Sequence, residues 1–279
     1  MPALTAARLA SYRARTFRTR AALRLRSAQQ ALAFVEERGF VFLWPIGGVD
    51  LPSLWKAAAG DRPVASQHDD PGHITWRWKD EMLDQRRWYY GKLLRGKATA
   101  VSLQTLPHFY ALSDRVNDLD DYRLAYESGS ISRPACDVAE ALRAHGAMDT
   151  VRLRRAAHLS SEAAKARFDR ALVELQRGLW VVPVGVAEAG AWRYAFVYEL
   201  FDRWFPAIAE QARPIAHHEA QAQLTTLYLR SVGVTQLSSV GSLFGWRRAE
   251  AEAALRLAQD RQQAVPLADG GWATPEVLI

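Results

Sequence analysis

The side chains that are candidates to act on a bound ligand lie in the first third of the chain. Asp50, Asp61, Asp69, Asp70, Asp80, Glu81 and Asp84 supply carboxylates. A positioned carboxylate orients a water molecule or takes its proton. Asp50 follows Trp44 by six residues, close to the end of an apolar run. It is the candidate catalytic residue. Its plainer role is to cap the helix expected over LPSLWKAAAG. Asp61 and Arg62 read as a loop ion pair. His68-Asp69-Asp70-Pro71-Gly72-His73 gathers metal-ligand types. The spacing matches no zinc set and the single cysteine cannot complete one, so the segment reads as a polar turn. No metal or cofactor is expected. No Ser/His/Asp order, phosphate-binding glycine loop or dinucleotide fingerprint occurs.

Arginine offers a second chemistry, the neutralisation of phosphates. Residues 4–26 carry Arg8, Arg13, Arg15, Arg18, Arg20, Arg24 and Arg26, interleaved with Leu, Tyr and Phe. Further clusters are Arg152, Arg154 and Arg155, then Lys165 and Arg167, then Arg247 and Arg248. With Arg15, Arg18 and Arg20 these are the candidate DNA-contacting residues. The competing reading is a set of solvated helix faces. Trp44, Trp55, Trp76, Trp78 and Trp88 place half of the ten tryptophans within 45 residues, next to Tyr89 and Tyr90. Such a cluster either packs a core or stacks on unpaired bases. Trp76 and Trp78 are two apart, so a helix cannot bury both on one face.

The elements that must hold these groups follow from periodicity, and the fold class expected is α+β. The stretch from Pro134 to Pro206 reads as helix, short helix, longer helix and two-stranded ribbon, the layout of a winged helix-turn-helix. Ala164, Phe168, Ala171, Leu172 and Leu175 recur at helical spacing. Gly146 and Gly178 suit left-handed helix ends, and Ser160 is a candidate N-cap. Ser27 caps a helix ending at Gly39, before the strand FVFLWPI; later, RRWYYGKLL and KATAVSLQT alternate as a hairpin turning at Arg95-Gly96-Lys97. From His217 the same order returns, with a ribbon turning at Asp269-Gly270-Gly271. Three tandem winged helices are therefore expected: a basic segment over 1–26, then units over 27–128, 129–212 and 213–279. Antiparallel ribbons belong near 86–104, 179–198 and 262–274.

Two or three small domains suit 279 residues; hydrophobic content of 49% and charged content of 24% are those of a globular protein. No apolar run approaches the roughly 18 residues of a membrane helix. No signal peptide is visible, and one cysteine points to a reducing compartment, the cytoplasm. A net charge of +6 favours a polyanionic partner, here duplex DNA. No heptad marks a dimer helix, so a monomer is expected.

AEALRAHGAMDTVRLRRAAHLS, RALVELQRGLWVVPVG, WRYAFVYELFDRWFP and LTTLYLRSVGVTQLSSVGSLFGWRRAEAEAAL resemble the winged-helix units of the AlkZ/YcaQ-like family. The resemblance covers the chain from about Ser27 onward. It implies tandem winged helices and kinship with bacterial DNA glycosylases that excise alkylated bases and unhook interstrand crosslinks. Those enzymes carry Gln-x-Gln or Gln-x-Asp at the end of the first unit's strand, before a proline. Here Phe42-Leu43-Trp44-Pro45 stands there. The resemblance thus implies DNA binding without the catalytic pair. Residues two apart on a strand share a face, so Phe42 and Trp44 are expected to point the same way. Two alternatives stay open: a glycosylase with a substituted catalytic residue, and a winged-helix transcriptional regulator.

Overall fold

The computed structural model describes residues 4–67, 69–113, 115, 118, 120–190 and 193–279. His68 of the acidic loop, Asp114, Val116, Asn117 and Leu119, and Ala191 and Trp192 before the last strand of the second ribbon lie outside them, as do residues 1–3.

Helix α1 (Ala6–Thr16) starts at Thr5, whose hydroxyl accepts the Arg8 N–H. Helix α2 (Ala28–Arg38) starts at Ser27 in the same way and stops at Gly39, where φ is +81°. Strand β1 (Phe40–Phe42) follows, then α3 (Leu54–Ala59), α4 (Ile74–Leu83), β2 (Trp88–Gly91) and β3 (Thr99–Ser102). Helices α5 (Leu106–Tyr110) and α6 (Asp121–Glu127) lead to α7 (Arg133–His145), β4 (Met148–Asp149), α8 (Thr150–Ala156), α9 (Lys165–Arg177), β5 (Val181–Ala187) and β6 (Ala195–Leu200). Two short helices, α10 (Phe201–Trp204) and α11 (Ile208–Ala212), precede the last group. That group is α12 (His217–Val232), β7 (Val234–Thr235), α13 (Leu237–Phe244), α14 (Arg248–Asp260), β8 (Val265–Pro266), β9 (Trp272–Ala273) and α15 (Pro275–Leu278).

Three small antiparallel sheets result, with orders β1-β3-β2, β4-β6-β5 and β7-β9-β8. In each, the last strand lies between a short leading strand and its hairpin partner. The repeat of helix, short strand, helices and hairpin makes the chain α+β. Sequence periodicity anticipated the hairpins, and pairing within 86–104 and 262–274 agrees with it; the middle ribbon runs two residues further, with Val181 opposite Leu200.

β1 is apolar at every position because both of its faces are covered. Phe40 and Phe42 enter one core with Leu106, Tyr228 and Leu243, joining the first sheet to α12 and α13. Val41 and Leu43 enter another with Trp78 and Trp88. The turn between β2 and β3, Leu94–Gly96, meets α9 on one side and α13 on the other. Gln176 of α9 secures that junction. Its side chain is buried and accepts the Lys92 N–H at 3.0 Å, while its carbonyl accepts the Tyr89 hydroxyl at 3.2 Å.

Arg115 forms a second junction. Its guanidinium is buried and donates to Asp121, Asp202 and the Leu179 carbonyl. Burial raises the Asp202 pKa, with Arg115 opposing it. Helix α9 corrects one expectation. Gly178 has φ −85° and is not left-handed; the residue after it, Leu179, is, at +58°. Glycine is required at 178 because a Cβ there would overlap the Trp180 ring. The cap before the helix is Ser161, leading into a single 3₁₀ turn, rather than Ser160.

Candidate nucleic-acid interface

Phe42 and Trp44 do not share a face, contrary to expectation. Sheet pairing ends at Phe42, and the chain bends through Leu43 before Trp44. Phe42 is fully buried in the core against the third sheet's helices. Trp44 instead joins a cluster of tilted and edge-on aromatic rings, with ring centroids 5.5 Å from Trp55, 5.7 Å from His73 and 5.9 Å from Trp76. The period-two argument fails once backbone pairing stops. Neither side chain offers an acceptor to a water.

Residues 45–52 leave the strand as a loop closed at its base. The Phe42 N–H donates to the Pro52 carbonyl and the Trp55 N–H to the Leu43 carbonyl, both at 3.0 Å. Asp50 projects from this loop. It caps nothing: Ser53 caps α3, accepting the Lys56 N–H at 3.2 Å. The Asp50 carboxylate lies 3.0 Å from the Arg13 guanidinium. Arg13 also donates to the Val232 carbonyl at 2.8 Å, so it ties α1 to the end of α12 as well as to Asp50.

Asp50 and Arg13 form one wall of a cavity of about 460 Å³. Arg95 from the β2–β3 turn forms another, and Gln236, Ser239 and Ser242 of the third group complete it. Arg95 is exposed, sits at φ +53° and makes no ion pair among the described residues. The site therefore combines a neutralised carboxylate, an uncommitted guanidinium, an amide and hydroxyls. Sequence reasoning found Asp50 but missed Arg95, Gln236 and the serines. Their only signal was three serines in an otherwise apolar helix and an arginine in a turn.

The other acids of the first third are committed or lie apart. Asp61 pairs with Lys56 at 2.7 Å, and Arg62 with Asp70, so the expected Asp61–Arg62 pair does not form. Asp70 also accepts the Gly72 N–H at 2.7 Å. Its pKa is lowered by the hydrogen bond from Arg62 and then by that backbone bond. Glu81 pairs with Arg77 at 3.3 Å, and Asp84 and Asp69 are exposed. No three metal-ligating side chains converge among the described residues.

Lys79 is the least expected of the charged residues. It is buried, with its ammonium 2.7 Å from Asp80, 2.6 Å from the Tyr194 hydroxyl and 4.3 Å from the centre of the Phe196 ring. Burial lowers its pKa and Asp80 opposes the shift. The cluster ties α4 to the second ribbon. Trp78 is buried and Trp76 is 39% exposed, as their spacing required. The Trp76 indole N–H donates to the Tyr194 hydroxyl at 3.1 Å, which fixes the ring. The tryptophan cluster is thus mainly core, with one exposed member.

The candidate DNA-contacting cations divide into two sets. Arg18 pairs with Glu37, Arg20 donates to Ser11 at 2.6 Å, and Arg247 pairs with Glu250 at 2.8 Å. Arg154 donates to the carbonyls of Leu159, Ser160 and Ser161, closing the turn after α8. Arg15, Arg152, Arg155, Lys165, Arg167 and Arg248 make no ion pair among the described residues, and all of them are exposed. Four of these lie on α8 and the first turn of α9. Asp149 holds α8 in place by accepting the N–H groups of Val151 and Arg152 at 2.9 and 3.0 Å.

No helix of the structure is long and apolar enough to cross a membrane. No curated protein matches the sequence. Among solved structures, the chain is similar to the DNA glycosylase AlkZ of Streptomyces sahachiroi, with 11% identity and a TM-score of 0.60 over 96% of this chain and 69% of that one. At that identity the likeness bears on the fold, three tandem winged helices. The model of the AlkZ-related family matches residues 25–244, most of the length, and the chain belongs to that family.

Proposed function

We propose that this chain binds duplex DNA as a monomer and lacks the base-excising pair of its enzyme relatives. The units are those over 27–128, 129–212 and 213–279, preceded by the basic segment 1–26. The second unit makes the main contact. Arg152 and Arg155 of α8 and Lys165 and Arg167 of α9 reach phosphates, with Arg15 and Arg248 extending the track. Arg18, Arg20, Arg154 and Arg247 organise the surface instead. The protein works where chromosomal DNA is, in a bacterial cytoplasm.

One observation supports the reading: where the resemblance puts the family's polar pair, Phe42 is sealed in the core and Trp44 packs among aromatic rings. Loss of a water-positioning group lowers rates about 10²–10⁴-fold. Release of free 7-methylguanine from alkylated duplex DNA should therefore be undetectable, while the same preparation retards the duplex in a binding assay. Robust release of base would overturn the proposal.

The position of Asp50 in the cavity favours a second reading, in which Asp50 orients the attacking water. Release by the native protein that disappears in Asp50→Asn would establish it.

A further inference from the structure

We infer that the cavity between α1 and α15 takes a phosphomonoester dianion. Two sources share that chemistry, the 5′-phosphate at the end of a DNA strand and free phosphate. The first rests on the DNA-binding reading above; the second does not need it.

Arg8, Ser11, Tyr12 and Arg15 follow one another at helical spacing and share one face of α1. Arg13, which meets Asp50, lies on the other side of that helix. The shared face borders a cavity of about 210 Å³, closed by Arg20 and by Glu276 of α15. All of these residues fall outside 25–244, the stretch matched to the family. The cavity is smaller than the roughly 300–1,000 Å³ of sites that enclose a whole small molecule. It suits one compact group.

The lining is cationic. Arg8 and Arg15 make no ion pair among the described residues. Arg20 has no part in the duplex track proposed above. One of its terminal nitrogens donates to the Ser11 hydroxyl at 2.6 Å, and the rest of its guanidinium edge makes no hydrogen bond among the described residues. The one acid in the lining is already engaged. Glu276 accepts from Arg230 at 2.9 Å through one oxygen and from the Tyr12 hydroxyl at 3.0 Å through the other. Three guanidiniums around one space repel one another, and a bound anion relieves that repulsion. Two of the three are held in place beforehand. Arg15 lies over the buried Tyr12 ring, 5.1 Å from its centre, and Ser11 holds Arg20. The Tyr12 hydroxyl is itself anchored, donating to the Arg230 carbonyl at 2.8 Å.

The number of cations selects the anion. A phosphodiester inside a strand carries one charge and two free oxygens, and one guanidinium fork satisfies it. A phosphomonoester carries about two charges at neutral pH and three acceptor oxygens. Arg8, Arg15 and Arg20 offer one fork for each oxygen.

The test has two arms. In the first, fluorescence anisotropy compares short duplexes identical except for a 5′-phosphate or a 5′-hydroxyl. In the second, isothermal titration calorimetry follows inorganic phosphate at neutral pH without DNA. If the source is a strand end, the phosphorylated duplex should bind about tenfold more tightly, the size of one charge-assisted hydrogen bond. Arg8→Gln should abolish that preference and leave affinity for the 5′-hydroxyl duplex unchanged. Arg20→Gln should reduce the preference. If the source is free phosphate, the duplexes should bind alike, and inorganic phosphate should bind the native protein and not Arg8→Gln. Absence of both effects overturns the inference, and so does either effect surviving in both variants. DNA binding stands or falls separately, on the 5′-hydroxyl duplex: phosphate binding that needs Arg8, in a protein that binds no duplex, supports this site and overturns the DNA reading.

Discussion

The strand end of the first unit and the helix pair of the second belong to the same kind of scaffold and differ in what their side chains do. At the strand end, Phe42 lies in the core and Trp44 packs half-buried among aromatic rings. On α8 and α9, Arg152, Arg155, Lys165 and Arg167 stay exposed and make no ion pair among the described residues. Under the proposed reading, affinity and chemistry separate within one fold. A phosphate track needs only cations on a rigid frame. A reaction site needs an acceptor aimed at a cleft, and aromatic filling removes it.

The largest effect expected is on the cationic side. Replacing Arg152, Arg155, Lys165 and Arg167 together by Ala should lower duplex affinity on the order of a thousandfold at low salt. The slope of log affinity against log salt should fall by about 0.9 for each phosphate that is no longer neutralised. Arg154→Ala, which removes only bonds to carbonyls, should leave the slope unchanged. Salt titrations that show the reverse pattern would break the division between free and committed arginines.

Next comes the strand end. Phe42→Gln puts an amide where the resemblance places the family's polar pair, in a site where the ring is fully buried. Loss of the ring should cost about 3–5 kcal/mol, and the amide finds no water. Chemical denaturation should show the destabilisation, and base release should not appear. A stable, active Phe42→Gln protein would mean that the crevice is open after all.

The smallest effect sharpens how the aromatic cluster is held. Asp70 fixes the turn that carries His73, and its folded pKa lies below the ordinary 3.8. A carboxyl lowered on folding contributes stability above its unfolded pKa and loses it as pH falls through the folded value. Asp70→Asn should therefore lower Tm at neutral pH, with the gap closing as the pH falls below 3.8 and through the folded value. A gap that persists in acid would remove the Arg62–Asp70 pair as its cause.

Local signals made most of the elements legible. Ser27 and Gly39 bound α2, and the spacing of Phe168, Leu172 and Leu175 marked the buried face of α9. Turn residues marked the hairpins. Asp50 was legible as a candidate because it stands just after a strand. A capping role was also expected of it, but Ser53 stands next to α3 and takes that role. Caps and periodicities act within a few residues, so one chain carries them in order. The partner of Asp50 is Arg13 on another helix, and the cavity adds Arg95 and Gln236 from segments far apart in the chain. Lys79 likewise meets Tyr194 and Phe196 only when the second ribbon packs on α4. Which arginines remain free for phosphate depends on the same folding of the chain. Arg18 meets Glu37, and Arg154 folds back on carbonyls. Sequence by itself determined charge, element order and the aromatic residues at the strand end. Tertiary structure decided which charged groups are neutralised and which face a common space, because electrostatic pairing and burial depend on distance in space rather than along the chain.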